Sequence, residues 1–382
     1  MQSGIGGYRE IFDFIQRSLF GRLGAMKISD VRLQKYDLKL VRPIIIKGHA
    51  LENRTGLILS LIDSVGRTGY GEVAPLPFLH KETMDEAACC ILRVRQTLLG
   101  RDIQNETALF TDPIEKQIDM DLPPSVSFGL EMALFDLSIQ KTAGQGIFSG
   151  LKVPACGLTS ADSEGLYTDL REMLERGFTT VKIKVGGNSI AEDANRIKTS
   201  REIVQNKINL RLDANRSWTL EEAVAFCGRI GSDRIEYIEE PVNRVCDQKA
   251  FVEKTGIPLA LDETLLEKSL DSISGLGHVG AFVIKPGLAG GLRHTAELID
   301  IARRNNIMSV LSSSFQSGLA IRALFLFAGA MGLSGVPAGL DTLKWFAEDG
   351  LAHRIPVVNG SVRLQHLLEQ RPCFKQALLS DV

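Results

Sequence analysis

Long apolar runs are missing from this 382-residue chain. None approaches the roughly 18 consecutive residues needed to span a bilayer, so no membrane partner is expected. The apolar-rich stretch Tyr8–Phe20 is interrupted by Asp13, Gln16 and Arg17. Those polar breaks do not fit a secretory leader and predict an amphipathic helix docked on the body. Cysteine is scarce as well. Cys89, Cys90, Cys156, Cys227, Cys246 and Cys373 form no C-x-x-C pair, so they read as reduced thiols filling apolar space, not as a disulfide framework. Nor is there an excess of either charge: the formal net charge is −2, with Lys and Arg spread along the chain. That distribution offers no basic face for nucleic acid or an anionic membrane. These absences leave a cytoplasmic globular protein with a small-molecule partner.

What is present has two textures. From Met26 to Asp63 short β-like stretches (KISDVRLQKYDLKLV, PIIIKG, GLILSLID) are separated by turn residues, as in an antiparallel meander. Helices are predicted over Thr83–Leu99 and Ser125–Lys141. From Pro154 onward, short apolar strands alternate with amphipathic helices. The strands are CGLTS, TVKIKV, NLRLDA, IEYIEE, PLALDE, AFVIKP and MSVLSS; the helices include Glu164–Arg176, Leu220–Ile230, Leu292–Asn305 and Gly318–Ala330. Strand–helix alternation implies parallel strands with right-handed crossovers, and seven to eight units fit a (β/α)₈-type barrel better than an open sheet. The predicted fold is therefore an α/β protein: a (β/α) barrel over 151–350 and an α+β capping domain over 26–150. Residues 1–25 form an N-terminal extension, and the tail 351–382 rejoins the cap.

Charged residues stand at successive strand ends where buried strands should be apolar. They are Lys182 and Lys184, Asp213, Glu239 and Glu240, Asp262 and Glu263, and Lys285. Their intervals of roughly 23 to 29 residues each match one βα unit, which places the side chains at one level of the barrel's C-terminal face, where chemistry occurs in this architecture. Any one of them alone is as readily a helix cap or a surface ion pair. Neighbours on a strand point to opposite faces, so only one of Glu239/Glu240 and one of Asp262/Glu263 can face the mouth. Three carboxylates converging there would take up protons unless a cation sat among them. A site of few carboxylates without His or Cys suits Mg²⁺, with Mn²⁺ as a possible substitute, and not Zn²⁺. Lys184 before the acids and Lys285 after them would face each other across the metal. An ammonium beside a divalent cation and a second lysine is pushed toward its neutral form and can act as a base. That combination abstracts a proton α to a metal-bound carboxylate.

At these positions the chain resembles the enolase superfamily, in its muconate-lactonizing subgroup, from about Met26 to Arg371. The subgroup carries a K-x-K pair, then Asp, Glu and Asp metal ligands, then an opposing lysine. The resemblance implies that Lys184 and Lys285 are catalytic and that Asp213, Glu239 and Asp262 bind the metal. The segments Arg42–Leu59, Gly71–Thr83, Ser312–Gly318 and Gly339–Asp349 resemble the o-succinylbenzoate synthase family in particular. That family dehydrates 2-succinyl-6-hydroxy-2,4-cyclohexadiene-1-carboxylate in menaquinone biosynthesis. Two departures stand out: Phe78-Leu79-His80 replaces the usual Gly-Phe-Ser of the cap loop, and Gln316 stands where an acid is common.

The resemblance implies that Lys184 removes the α-proton and returns one to the departing hydroxyl, while Lys285 as ammonium stabilises the enediolate. Lys182, on the same face, tunes the charge of Lys184. Asn215 supports the metal or substrate, or is a polar loop residue. Ser312 and Ser314 share a face and either hold the succinyl carboxylate or serve as turn residues. The rival on this fold is an N-acylamino acid racemase or a dipeptide epimerase; Leu340-Asp341-Thr342-Leu343 lacks the second acid of an epimerase D-x-D. A non-catalytic scaffold would have lost a ligand or a base, and all five positions are filled. The glycine-rich GLAGG at Gly287–Gly291 is a weak signal for an anion site.

Overall fold

A computed structural model describes residues 26–103, 114–118, 120–142, 146–159, 163–205, 207–267 and 276–382. The helix expected over Tyr8–Phe20, and with it the N-terminal extension, lies outside these residues.

The capping sheet is built on a long hairpin, β1 (Met26–Ile46) and β2 (His49–Asp63), followed by β3 (Thr68–Val73). The sequence predicts separate strands on either side of Pro43. The chain instead runs through it as one strand, because Pro43 falls between Lys39 and Ile44, where the register with β2 slips and no ladder N–H is required. The hairpin turns at Lys47 and Gly48, both with positive φ (46° and 83°), as a tight two-residue connection needs. Asp102–Ile103 and the chain's last strand, Leu379–Asp381, pair antiparallel with β1, the latter bringing the tail back onto this sheet. Two helices, α1 (Met84–Leu98) and α2 (Pro124–Thr142), cover one face. Thr83 opens α1 with a reciprocal capping box to Glu86. β3 crosses α2 so closely that a Cβ on Gly71 would stand 1.8 Å from the Gly129 carbonyl oxygen, so only glycine fits there.

The second unit has seven parallel strands in sequential order: β4 (Gly157–Leu158), β5 (Thr180–Lys184), β6 (Asn209–Asp213), β7 (Ile235–Glu239), β8 (Leu259–Leu261), β9 (Val279–Ile284) and β10 (Met308–Leu311). Helices α3 (Ser163–Glu175), α4 (Ile190–Val204), α5 (Leu220–Ile230), α6 (Gln248–Thr255), α7 (Leu292–Arg304) and α8 (Gly318–Ala330) lie between or after them. Two residues close the ring. Ala338 pairs parallel with Ala155 and Gly339 with Ser312. Cys156 N donates to Ala338 O at 2.8 Å and Gly339 N to Leu311 O at 2.7 Å. The barrel expected from strand–helix alternation is thus present, with an eighth stave only two residues long.

Period-two alternation sorts the side chains. Val181, Ile183, Leu210, Leu212, Ile238, Leu261, Phe282 and Ile284 join the large core under the helices. Tyr237, Ala260, Ala281, Val283 and Val310 form a separate small cluster inside the ring. Below them Arg211, 1% exposed, donates to Glu236 at 2.7 Å and to Pro337 O at 2.6 Å, with its guanidinium 5.2 Å from the Tyr237 ring centre. This floor seals the end opposite the catalytic face.

Buried polar contacts fix the cap on the barrel. Glu72 of β3 accepts from Tyr36 Oη at 2.7 Å within the cap, and from Ser317 N at 2.9 Å and Ala320 N at 3.3 Å at the start of α8. A carboxylate at a helix N-terminus meets both free N–H groups and the positive end of the dipole. Asp136 of α2 pairs with Arg322 of α8 at 3.2 Å, both buried.

Candidate active site

Lys184 and Asp213 are paired residues of β5 and β6, and Asp213 and Glu239 of β6 and β7. Glu239 pairs with Ala260 of β8, so Asp262, two residues on, reaches the same face one step higher. Asp213, Glu239 and Asp262 are buried at 7, 1 and 3% exposure. Lys182 projects between the first two, its Nζ 2.9 Å from Asp213 Oδ2 and 2.8 Å from Glu239 Oε2. Lys285, directly after β9, donates to Asp262. Lys184 ends β5 exposed to solvent at the mouth. The structure therefore gathers the five predicted residues and Lys182 at the C-terminal ends of adjacent strands, with Lys182 deeper among the acids than Lys184.

The paired acids separate as strand geometry requires. Glu239 faces the interior; Glu240 is wholly buried on the other side, with left-handed φ (42°). Glu240 Oε1 accepts from Asp262 N at 3.0 Å and Thr264 N at 2.8 Å, and its Oε2 pairs with Arg216 Nε at 3.0 Å. It therefore fixes the backbone that carries Asp262. Glu263 is half-buried and accepts from Asn215 Nδ2 at 3.3 Å, while Asn215 N donates to Asp213 Oδ1 at 3.1 Å. Asn215 is thus a brace between two strand ends.

Ser312 Oγ donates to Gly339 O at 3.2 Å, within the barrel seam. Ser314 N donates to Gln316 Oε1 at 2.7 Å, and the buried Ser314 Oγ has no hydrogen-bond partner among the described residues. Gln316 is buried and acts as a loop brace. In the cap loop Phe78 is half exposed and stacks on His49, ring centres 4.0 Å apart. His80 reaches the barrel, with Nε2 2.9 Å from Gly287 O. Arg54, 1% exposed, donates to Phe315 O at 3.0 Å and Pro75 O at 3.0 Å. The sequence reading missed Glu240, Arg54 and His80 as braces. Only the second acid of the Glu239-Glu240 pair carried a signal, because alternation turns it away from the mouth.

The charges are interdependent. Burial would lower the pKa of Lys182, but Asp213, Glu239 and Asp262 reverse this and hold it well above the ordinary lysine value. Burial likewise opposes Lys285, and Asp262 and Glu239 raise it. Burial would raise Asp213, yet its contact with Lys182 holds it below the usual carboxylate range. Glu239 is driven well above that range by burial and then by the charge of Asp213. Among the described residues no three His, Cys, Asp or Glu side chains converge at ligand distance; Lys182 and Lys285 supply the positive charge between the acids. An all-carboxylate donor set on consecutive strands fits a hard divalent cation. So does the buried Glu239 Oε2, which no well-aligned donor reaches. The residues present fit Mg²⁺.

A barrel with acids on consecutive strand ends, lysines on either side and an α+β cap over the mouth is the arrangement of the enolase superfamily. Residues 166–368 match the family described as Enolase C-terminal domain-like, and residues 28–137 match the family described as MenC, N-terminal domain. The o-succinylbenzoate synthase of Aliivibrio fischeri (strain MJ11) is 33% identical over 82% of this chain and 90% of that protein. The chloroplastic protein PHYLLO of Arabidopsis thaliana is also 33% identical, over 87% of this chain, which spans 22% of that longer protein. Among solved structures, the dipeptide epimerase from Enterococcus faecalis V583, complexed with Mg and the dipeptide L-Leu-L-Tyr, aligns with a TM-score of 0.75 at 24% identity. That alignment covers 89% of this chain and 97% of the epimerase and shows a shared fold. The chain belongs to the o-succinylbenzoate synthase family, a family of lyases within the enolase superfamily. No described helix is long and apolar enough to cross a membrane.

Proposed function

We propose that this chain dehydrates 2-succinyl-6-hydroxy-2,4-cyclohexadiene-1-carboxylate to o-succinylbenzoate, a step of menaquinone biosynthesis. The observation that carries the reading is the set of three buried carboxylates, Asp213, Glu239 and Asp262, on consecutive strand ends with lysines on both sides. Mg²⁺ held by these three would bind the substrate's ring carboxylate and offset the negative charge that grows on it as the α-proton leaves. Lys184, at the open end of β5, takes that proton on Nζ and then delivers one to the departing hydroxyl. The C–H electron pair becomes the new ring double bond, the C–O bond breaks and water leaves. Lys285, kept as ammonium by Asp262, offers fixed positive charge on the other side of the ring carboxylate. Lys182 anchors Asp213 and Glu239. Ser314, with its unused hydroxyl, is the donor proposed for the succinyl carboxylate, with Ser312 beside it in the seam. Aromatisation drives the second step, so the barrier lies in proton removal.

The test follows loss of diene absorbance with Mg²⁺ and then with EDTA. Metal-dependent conversion is expected, and Lys184→Ala should lower kcat by a factor on the order of 10³ or more while leaving the thermal midpoint unchanged. No conversion by the wild type, with α-proton exchange of N-succinyl amino acids in D₂O, would move the function to racemisation. A Lys184→Ala protein with near-normal kcat would remove Lys184 from the mechanism.

A further inference from the structure

The loop that carries Lys285 is held by the capping domain as well as by its own strand. Lys285 leads through Pro286 into a single helical turn, with Leu288 N and Ala289 N both donating to Lys285 O at 2.9 Å. The carbonyl of Gly287, within that turn, receives His80 Nε2 at 2.9 Å. The tautomer of His80 follows from its other nitrogen. Leu76 N lies 2.8 Å from Nδ1, and a backbone amide can only donate, so Nδ1 carries no proton. The neutral ring then has its hydrogen on Nε2, where it donates to Gly287 O. Burial lowers the pKa of the ring and favours this neutral form.

The contact is rigid on both sides. The cap loop closes on itself through His80 N to Leu76 O at 3.0 Å and is pinned by Arg54 at Pro75 O. Gly287 is wedged from below: a Cβ there would stand 2.6 Å from Gln316 Nε2 and 3.4 Å from Ser314 Oγ. Between Gly287 and Lys285 there is only Pro286, whose ring fixes φ. The same turn is held to Lys285 O by Leu288 N and Ala289 N, so a displacement of Gly287 is passed on to Lys285 with few free torsions to absorb it.

We infer that His80 is a positioning residue for Lys285: it holds the Lys285–Gly291 loop in register with the carboxylates by a hydrogen bond across the domain interface. A neutral imidazole can do this without adding a cation beside Lys285, which a lysine or arginine in the same place would. The catalytic meaning of the inference rests on the proposed role of Lys285; the latch itself does not.

Two substitutions separate the two nitrogens. His80→Asn keeps an acceptor for Leu76 N at the Nδ1 position and loses the reach to Gly287. His80→Gln puts an amide N–H where Nε2 stood. The expected result is that His80→Asn lowers kcat by a factor on the order of ten to a hundred with a much smaller change in KM. Amide exchange in residues 286–291 should rise, with the thermal midpoint unchanged. His80→Gln should restore both kcat and protection. Full kcat in His80→Asn, or a His80→Gln variant as impaired as His80→Asn, would overturn the inference. Amide exchange and the ¹⁵N shifts of the His80 ring are read without substrate. If the wild type fails to turn over the diene, they still decide the latch: unchanged exchange or an Nδ1–H tautomer sinks it, and increased exchange with the Nε2–H tautomer upholds it.

Discussion

At the residue scale, two carboxylates one position apart do unrelated work because strand geometry points them in opposite directions. Glu239 shares the barrel interior with Asp213 and Lys182, whereas Glu240 lies outside it and accepts from Asp262 N, Thr264 N, Thr264 Oγ1, Arg216 Nε and Gln248 Nε2. Converting Glu240 to Gln would set an NH₂ group against donors at a wholly buried position and remove one of the two carboxylates that pair with Arg216, the other being Glu267. Leaving buried donors without an acceptor costs about 1–3 kcal/mol, in contrast to the near-zero effect of losing an exposed ion pair. Glu240→Gln should therefore lower the urea midpoint strongly and, through Asp262, weaken Mg²⁺ retention. Urea unfolding with and without Mg²⁺ checks it; a midpoint within experimental error of wild type would show that Glu240 is not the brace described.

At the scale of elements, the start of α7 shows how the cap acts on a barrel helix. Glu131 of α2, 1% exposed, accepts from Arg293 N at 2.9 Å, while Gly291 with φ 107° leaves room that a Cβ would take, 2.3 Å from Glu131 Oε2. Burial pushes the Glu131 carboxyl up from 4.5 to about 8, against the pull of the Arg293 amide. Between those pH values the unfolded chain ionises this group while the folded protein keeps its proton. The stability it contributes is thus fully present below about pH 4.5, declines as pH rises and is gone above about pH 8, a change on the order of 3–5 kcal/mol. Glu131→Gln keeps an oxygen acceptor and cannot ionise. Its melting temperature should fall less than that of wild type from pH 5 to pH 9, with the variant becoming the more stable at the alkaline end. Parallel melting curves across that range would show that Glu131 titrates normally.

Most elements could be read in the sequence, because periodicity is a local property. Leu220–Ile230 and Gly318–Ala330 fall where the pattern put them, six of the barrel strands lie within the predicted apolar segments, and β9 begins ahead of its segment, at Val279 and not Ala281. The exceptions have local causes. Pro43 is a strand breaker only where a ladder N–H is needed, and the register slip beside it removes that need. The eighth stave, Ala338–Gly339, is too short to show any period. At the site, charges at strand ends were visible because buried strands are otherwise apolar. Arg54, Glu72, Glu131 and His80 were not, since their partners come from distant segments and a single polar residue in a loop or helix carries no period.

At the scale of the whole molecule, those same residues tie the two units into one cooperative body. Glu72 caps α8, Asp136 pairs with Arg322, Glu131 caps α7 and Arg54 holds Phe315 O, each across the interface and each buried. Opening the interface would exchange these buried contacts for water, at a net cost of about 0.5–1.5 kcal/mol for each hydrogen bond, and would expose the apolar surface packed around them. Separation before unfolding is therefore disfavoured, and the cap and barrel should melt together although they are distinct in architecture. A ligand of the barrel mouth must then stabilise the cap as well. At a hundredfold excess over its dissociation constant, Mg²⁺ adds about 2.7 kcal/mol to whatever unit unfolds with the site. Calorimetry should show one endotherm that moves upward as a whole with Mg²⁺ and returns with EDTA, and Glu239→Gln should abolish the movement. Two endotherms, of which only one responds to the metal, would mean that the buried interface groups do not couple the domains. A single endotherm indifferent to Mg²⁺ would leave that coupling standing and count against Asp213, Glu239 and Asp262 as the ligands.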